Sequence, residues 1–237
     1  MRELPIIMNT EMVQALLDGL KTQTRRPIKD QAAISYFGYN ISFISPDSEH
    51  AIWTVYNDDY PEEGSHELKS PYQVGDILYV RETWQYYDWS EDGDPHIKYK
   101  ADNSTVCHLI EDEETAMKIQ DTVWPYLSRE ENYLKNNRAC DYKWRQSNHM
   151  PKWAARIHLK VTNVRIERVQ DISEGDAIEE GIAQTQGKRW TNYRNKETAW
   201  LLPVTSFRTL WDSIYLLKNI GWDQNPYVWA YDFEVMK

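Results

Sequence analysis

The chain of 237 residues reads as an α+β protein. Three observations carry that reading. Apolar and polar residues alternate in several separate runs; in the last of them Tyr227, Trp229, Tyr231, Phe233 and Val235 alternate with Val228, Ala230, Asp232 and Glu234, as in a strand with one aromatic face. Between these runs stand segments with helical spacing, the first being Met12, Ala15, Leu16 and Leu20. A content of 41% hydrophobic and 27% charged residues belongs to a chain that buries a real core and is neither disordered nor fibrous.

Leu4 to Met8 is a short apolar strand. Asn9 or Thr10 can cap the helix that follows, with Glu11 in its first turn and Gly19 in the left-handed position that closes it. Lys21 then leaves a tight turn, and from Thr22 the chain reads as a strand. Thr22, Thr24 and Arg26 share one face of it, Lys21, Gln23 and Arg25 the other, so Lys21 and Thr24 meet in one pocket only if the turn or a bulge redirects Lys21. Standing alone, Lys21, Thr24, Arg25 and Arg26 also fit a solvated basic edge strand, since charged residues protect sheet edges from mispairing.

Residues 30–70 are irregular, with Ile52 to Tyr56 as a clear strand and Asp58, Asp59, Glu62 and Glu63 in an acidic loop, which together read as an inserted hairpin. Val74-Gly75-Asp76 makes a tight entry into a strand from Ile77 to Thr83. Residues 85–150 hold a short strand near Ile97 to Lys100, a helix near Glu111 to Gln120 and an aromatic segment through Trp124, Tyr126, Tyr133, Tyr142 and Trp144. An insertion of that length is a lid or subdomain rather than a bare loop. Ile157, Leu159 and Val161 then alternate with Arg156, His158 and Lys160, and after Thr162-Asn163 the apolar parity flips to Val164 and Ile166, which calls for a bulge. Ser173 caps a short helix with Asp176 at the capping-box position and Gly181 closing it, Ile178 and Ile182 on the buried side. Lys188 to Thr198 is polar, basic and mobile, and Ser206 starts an amphipathic helix through Phe207, Leu210, Trp211, Ile214 and Leu217.

The helix, the Gly-x-Lys-x-x-Thr-x-Arg spacing at Gly19, Lys21, Thr24 and Arg26, and Val74-Gly75-Asp76-Ile77-Leu78 together resemble the ASCH family, whose fold is related to PUA domains. Family members more often have Glu where Thr24 stands. Thr at that place is similar to the small bacterial N4-acetylcytidine amidohydrolases of the same family, whose catalytic set is a Lys, a Thr and a Glu; Ile172-Ser173-Glu174 and Glu180, just before Gly181, fall where those enzymes carry the Glu. Trp144-Arg145-Gln146-Ser147-Asn148-His149-Met150-Pro151-Lys152-Trp153 resembles a segment of the longer ASCH proteins of phages and prophages, which the short enzymes lack. The resemblance implies a PUA-like mixed β-barrel of about six strands flanked by helices, one domain over 1–237 with insertions at about 30–70 and 85–150. It covers the barrel and not the insertions, and it implies Lys21, Thr24 and Glu180 as the catalytic set.

That chemistry needs these residue types. A Thr hydroxyl is a poor nucleophile unless a base takes its proton, and a Lys serves if desolvation or a neighbouring cation such as Arg25 or Arg26 lowers its pKa. A Glu opposite can pass a proton to the leaving amine, provided that its charge does not lock Lys21 as an ammonium. Arg26, Arg81, Glu82, Trp84, Trp144 and Arg145 complete the expected substrate-binding set, with Trp84 stacking on a base. Arg81, Glu82 and Trp84 equally fit an internal ion pair beside a core Trp, and a lone His such as His149 is more often structural than catalytic.

The balance of 27 basic against 37 acidic residues, a formal charge of −10, opposes a long track of phosphate contacts and favours a small ligand over a duplex. Eleven Trp and 16 Tyr supply planar side chains that can stack on a base or simply fill cores. Cys107 and Cys140 lack metal or disulfide spacing, so no metal and no cofactor are expected. Met1 to Pro5 lack the apolar core of a signal peptide and no run is long enough to span a bilayer, which points to a cytoplasmic chain without a membrane partner. Expected partners are a modified nucleoside or a single-stranded RNA base, bound in a pocket around Lys21 with or without hydrolysis of an N4-acylated cytidine. A non-catalytic RNA-binding module and a phage accessory or assembly factor acting through protein contacts stand as alternatives, and the oligomeric state is left open.

Overall fold

The computed structural model describes residues 1–36, 41–44, 52–57, 65–90, 94–119, 143–185, 187–195 and 197–236. The acidic loop at 58–64, the aromatic positions Trp124, Tyr126, Tyr133 and Tyr142, and Cys140 lie outside them. The fold is mixed α+β, and its contacts divide the chain into two units: Met1–Leu4, Ala15–Leu78 and His158–Lys237 form the first, Pro5–Gln14 and Tyr79–Ile157 the second. Among the described residues no helix is long and apolar enough to cross a membrane.

The strands in chain order are β1 Glu3–Ile7, β2 Gln23–Pro27, β3 Ile41–Ile44, β4 Ile52–Asn57, β5 Ser65–Lys69, β6 Ile77–Arg81, β7 Trp84–Trp89, β8 Pro95–Tyr99, β9 Thr105–Cys107, β10 His158–Arg168, β11 Trp190–Thr191, β12 Ala199–Trp200 and β13 Tyr227–Met236. A five-stranded sheet has the order β1-β6-β10-β13-β2. The long strands β10 and β13 pair antiparallel from His158↔Met236 to Arg168↔Tyr227, with a register shift between Val161 and Asn163 where the apolar parity flips. β2 pairs antiparallel with β13 and ends the sheet, setting Thr24 opposite Tyr231 and Arg26 opposite Trp229.

In the first unit the alternation of β13 does not separate a wet from a dry face: Val228, Trp229, Ala230 and Tyr231, which alternate in direction, are all buried. Phe207, Leu210 and Trp211 of the helix Pro203–Tyr215 join that core. This helix begins at Pro203 rather than Ser206, with proline at its start, where the missing N–H costs no hydrogen bond. Ser206 instead sits inside it, buried, donating to the Thr191 carbonyl at 2.6 Å. The helix Glu174–Glu179 is capped as read, Ser173 Oγ accepting from Asp176 N, and Gly181 stands at φ +82°. Ile182 is buried but Ile178 is 40% exposed: the helix ends at Glu179 and the chain turns at Gly181, so Ile182 does not continue the face of Ile178. Likewise Leu20 is 52% exposed: the first helix, Thr10–Leu17, stops before reaching it. Segment 188–198 is partly ordered by the β11–β12 pair and by Asn192 Nδ2 donating to Thr198 Oγ1 at 2.7 Å. β3, β4 and β5 make a small antiparallel sheet of their own.

The second unit has a three-stranded sheet, β7-β8-β9, and a helix at 113–119. Trp84, Tyr86, Ile97, Tyr99, Ile119, Met150 and Ala154 pack as its core. Trp84 starts β7 rather than ending β6, so its ring belongs to this core.

Candidate functional site

Three backbone devices place Lys21. Gly19, at φ +70°, ends the first helix, and the amides of Leu20 and Lys21 both donate to the Ala15 carbonyl, at 2.8 and 3.1 Å. Lys21 then bridges Glu180 in antiparallel fashion, and Thr22 N donates to the Glu179 carbonyl at 2.9 Å, so the end of the Glu174–Glu179 helix covers the start of edge strand β2. The approach is close enough to require glycine at 181: a Cβ there would lie 2.6 Å from Ala15 Cβ and 2.8 Å from Lys21 Cβ.

The Lys21 ammonium is fully buried, and its three protons have three acceptors: the Gln23 carbonyl, the Glu180 carbonyl and Glu180 Oε2, each at 2.7 Å. Burial lowers the Lys21 pKa below its ordinary value; Glu180 opposes this, and Arg26 and Arg25 reinforce it. Both cations expected from the sequence to act on Lys21 do so.

Lys21 and Glu180 belong to a larger polar network on the Gln23 and Arg25 face of β2. Buried Arg25 reaches Glu167 at 2.6 Å, Asp176 at 3.3 Å and Glu180 at 3.3 Å. Gln23 Nε2 donates to Asp176 Oδ1 at 3.0 Å and Glu179 Oε2 at 2.5 Å, while Arg165 bridges Glu167, Asp176 and Asp232. Asp176 is held below its ordinary pKa: burial works the other way, but Gln23 and the charge of Arg25 outweigh it.

Thr24 is 1% exposed and its hydroxyl has no hydrogen-bond partner among the described residues, so it bonds neither Lys21 Nζ nor Glu180. The expected trio is therefore a contacting pair with Thr24 outside it, as the strand parity foretold. Arg26, on the Thr24 face, is half-buried, hydrogen-bonded to Tyr215 and within electrostatic reach of Glu180 and Tyr72. It lines a cleft of about 1090 Å³ together with Tyr72, Ser70, Trp229 and Tyr231; Arg2, Lys29, Lys69, Asp30, Glu67 and His66 also border it. Tyr231 and Ser70 hydroxyls meet at 2.8 Å, and Tyr72 and Tyr231 rings lie edge to face at 5.1 Å. The aromatic face of β13 pointed to Trp229 and Tyr231; nothing local marked Ser70 and Tyr72, which a distant turn brings in.

In the second unit Arg81 donates to the Met150 carbonyl at 2.7 Å and to the Asn148 carbonyl at 2.5 Å. Glu82, 1% exposed, takes a two-pronged contact from Arg156, Nε to Oε1 at 2.8 Å and Nη2 to Oε2 at 3.0 Å. Arg156 also reaches Asp102 at 2.8 Å and stacks over the Tyr99 ring at 4.0 Å. Arg81 and Glu82 thus hold the unit together, with Arg156 as a partner that sequence reasoning had assigned only to the outer parity of a strand. Trp84 and Arg145 exchange backbone hydrogen bonds in both directions, at 3.2 and 2.7 Å. The Trp144 side chain is 37% exposed, and among the described residues no group of three or more His, Cys, Asp or Glu is placed to hold a metal.

No protein-family model, no curated protein and no solved structure matches this chain.

Proposed function

We propose that the chain binds a nucleoside or nucleic-acid base in the cleft beside Arg26, on a frame of the PUA-like barrel type. The observation that carries this is the lining of that cleft: the Arg26 guanidinium stands with Tyr72, Trp229 and Tyr231; Arg2 is already paired to Asp76, and Arg26, Lys29 and Lys69 outnumber Asp30 and Glu67 among the described lining residues. Planar rings beside a planar cation suit a base, and a local excess of cations suits its phosphate. The buried Lys21–Glu180 pair lies at the start of the strand that presents Arg26 and holds that strand in place.

Hydrolysis of an N4-acylated cytosine is the catalytic form of this reading. It is favoured by the lowered Lys21 pKa and the unpartnered Thr24 hydroxyl. With Thr24 and Lys21, which lie on opposite faces of β2 and do not touch, brought together, Thr24 Oγ would bond the acyl carbon as its proton passed to the neutral Lys21 amine; the C–N4 bond would break as the leaving N4 took that proton from Lys21, and water would then add to the acyl carbon and release the acid from Thr24. For this, Lys21 must first give up one of its three acceptors and a proton, and the site must admit substrate to two buried side chains.

The test is calorimetric titration with cytidine and N4-acetylcytidine, with acetate release followed in parallel. Binding that is lost in Arg26→Ala supports the cleft, and acetate release lost in Lys21→Arg supports the catalytic form, because a guanidinium cannot act as the base. If neither nucleoside binds and no acetate appears, the reading is wrong.

A further inference from the structure

The second unit contains a cavity of about 350 Å³ that the Arg26 cleft does not use, bordered by Trp84, Tyr86, Trp153, Arg145, Lys118 and His149. Its size is that of a small-ligand site. Two features of its lining point to one chemistry. The walls are aromatic: Trp84 and Tyr86 meet edge to face at 5.0 Å, Trp153 lies 6.3 Å from Tyr86, and the Arg145 guanidinium sits 5.7 and 5.3 Å from the Trp84 and Tyr86 ring centres. Among the described residues the charged side chains that border the cavity are Lys118 and Arg145, with no Asp or Glu in its lining, and Lys118 also pairs with Glu114 at 2.5 Å.

A third observation concerns hydrogen bonding. Trp84 is 3% exposed, and its indole Nε1–H has no acceptor among the described residues. Buried indole N–H groups ordinarily find a partner, so Trp84 keeps an unmet donor within the ring cluster that borders the cavity. Aromatic walls give a planar ring something to stack on, and the cationic rim attracts an anion attached to that ring.

We propose that this cavity is a second binding site, for one nucleotide, its base against the partly exposed Trp153 ring and its phosphate at Arg145 and Lys118. It is independent of the cleft beside Arg26. The same chemistry comes from a free nucleotide or from a nucleotide within a single strand, and these are told apart by affinity.

The experiment titrates the 237-residue chain with adenosine 5′-monophosphate, with adenosine, and with a single-stranded tetranucleotide, following heat and the indole N–H resonances. The Trp84 resonance is identified by its disappearance in Trp84→Phe. Adenosine 5′-monophosphate should bind at least about tenfold more tightly than adenosine, shift the Trp84 indole resonance, and lose at least about tenfold in affinity in Arg145→Gln. Read at the Trp84 resonance, the affinity and its dependence on Arg145 should be the same in Arg26→Ala, whatever heat that variant removes from the cleft, which separates the two sites. A tetranucleotide that binds much more tightly than the mononucleotide, with the same dependence on Arg145, identifies a strand as the source; equal affinities identify the free nucleotide. Should Trp84→Phe fail to fold, the Arg145→Gln and Trp153→Ala affinities decide. The proposal is overturned if adenosine 5′-monophosphate does not bind, or if its binding is lost in Arg26→Ala and kept in Arg145→Gln.

Discussion

Lys21 Nζ and Glu180 Oε2 stand 2.7 Å apart with side chains 0% and 2% exposed, so Glu180 compensates the buried Lys21 charge, while Arg25, at 3.3 Å from Oε1, shares in compensating Glu180. Breaking a buried pair by removing one partner leaves an uncompensated charge and costs about 3–5 kcal/mol. Glu180→Ala and Lys21→Met should each lower unfolding free energy by about that much in urea denaturation. The double variant should lose clearly less than the sum of the two. Strictly additive losses would show that the two side chains are not coupled in solution.

Gly181→Ala and Gly19→Ala make a contrasting pair, since both glycines have positive φ, +82° and +70°. Open space surrounds Gly19, so only the left-handed backbone is penalised, at about 1–2 kcal/mol. At Gly181 the new methyl also meets Ala15 and Lys21, which adds about 1–3 kcal/mol. Gly181→Ala should therefore be the more destabilising of the two in thermal melts, and equal losses would mean that the helix end does not press on Lys21.

Asp102 provides the acid-side test. Burial opposes its ionisation, but the Arg156 guanidinium and Ser104 prevail and hold its pKa at about 2, below the ordinary 3.8. A carboxylate depressed in this way stabilises the fold above its unfolded pKa and loses that contribution as pH falls toward the folded one. The parent should exceed Asp102→Asn in urea midpoint at neutral pH, and the gap should close between about pH 4 and pH 2. A gap that persists unchanged to pH 2 would place the Asn effect in packing instead.

Tyr86 should resist alkaline titration. Burial raises its pKa from the ordinary 10.0 to about 12, with Arg145 pulling modestly the other way. A phenol that holds its proton in the fold contributes stability below its unfolded pKa, which is lost as pH rises through the folded value. Absorbance titration of the parent against Tyr86→Phe should therefore show almost no difference near pH 10 and a difference of about half a phenolate at pH 12. A difference already complete at pH 10 would mean that water reaches the ring freely.

The local features of this chain followed from neighbouring residues alone. Ser173 capping its helix, Gly19 and Gly181 in the left-handed region, and the bulge where the apolar parity flips after Val161 each depend on a few adjacent side chains and their preferred backbone angles. So did the face on which each residue of β2 lies, and with it the separation of Thr24 from Lys21. What only the tertiary structure decided are the partners of the charges. Lys21 meets Glu180 across 159 positions of sequence and Arg156 meets Glu82 across 74, contacts made by strand register and by a helix end lodged on a sheet edge. No short window holds both members of such a pair. An exposed and a buried Lys or Glu look alike in the sequence, and only the packing that withdraws them from water makes each require the other.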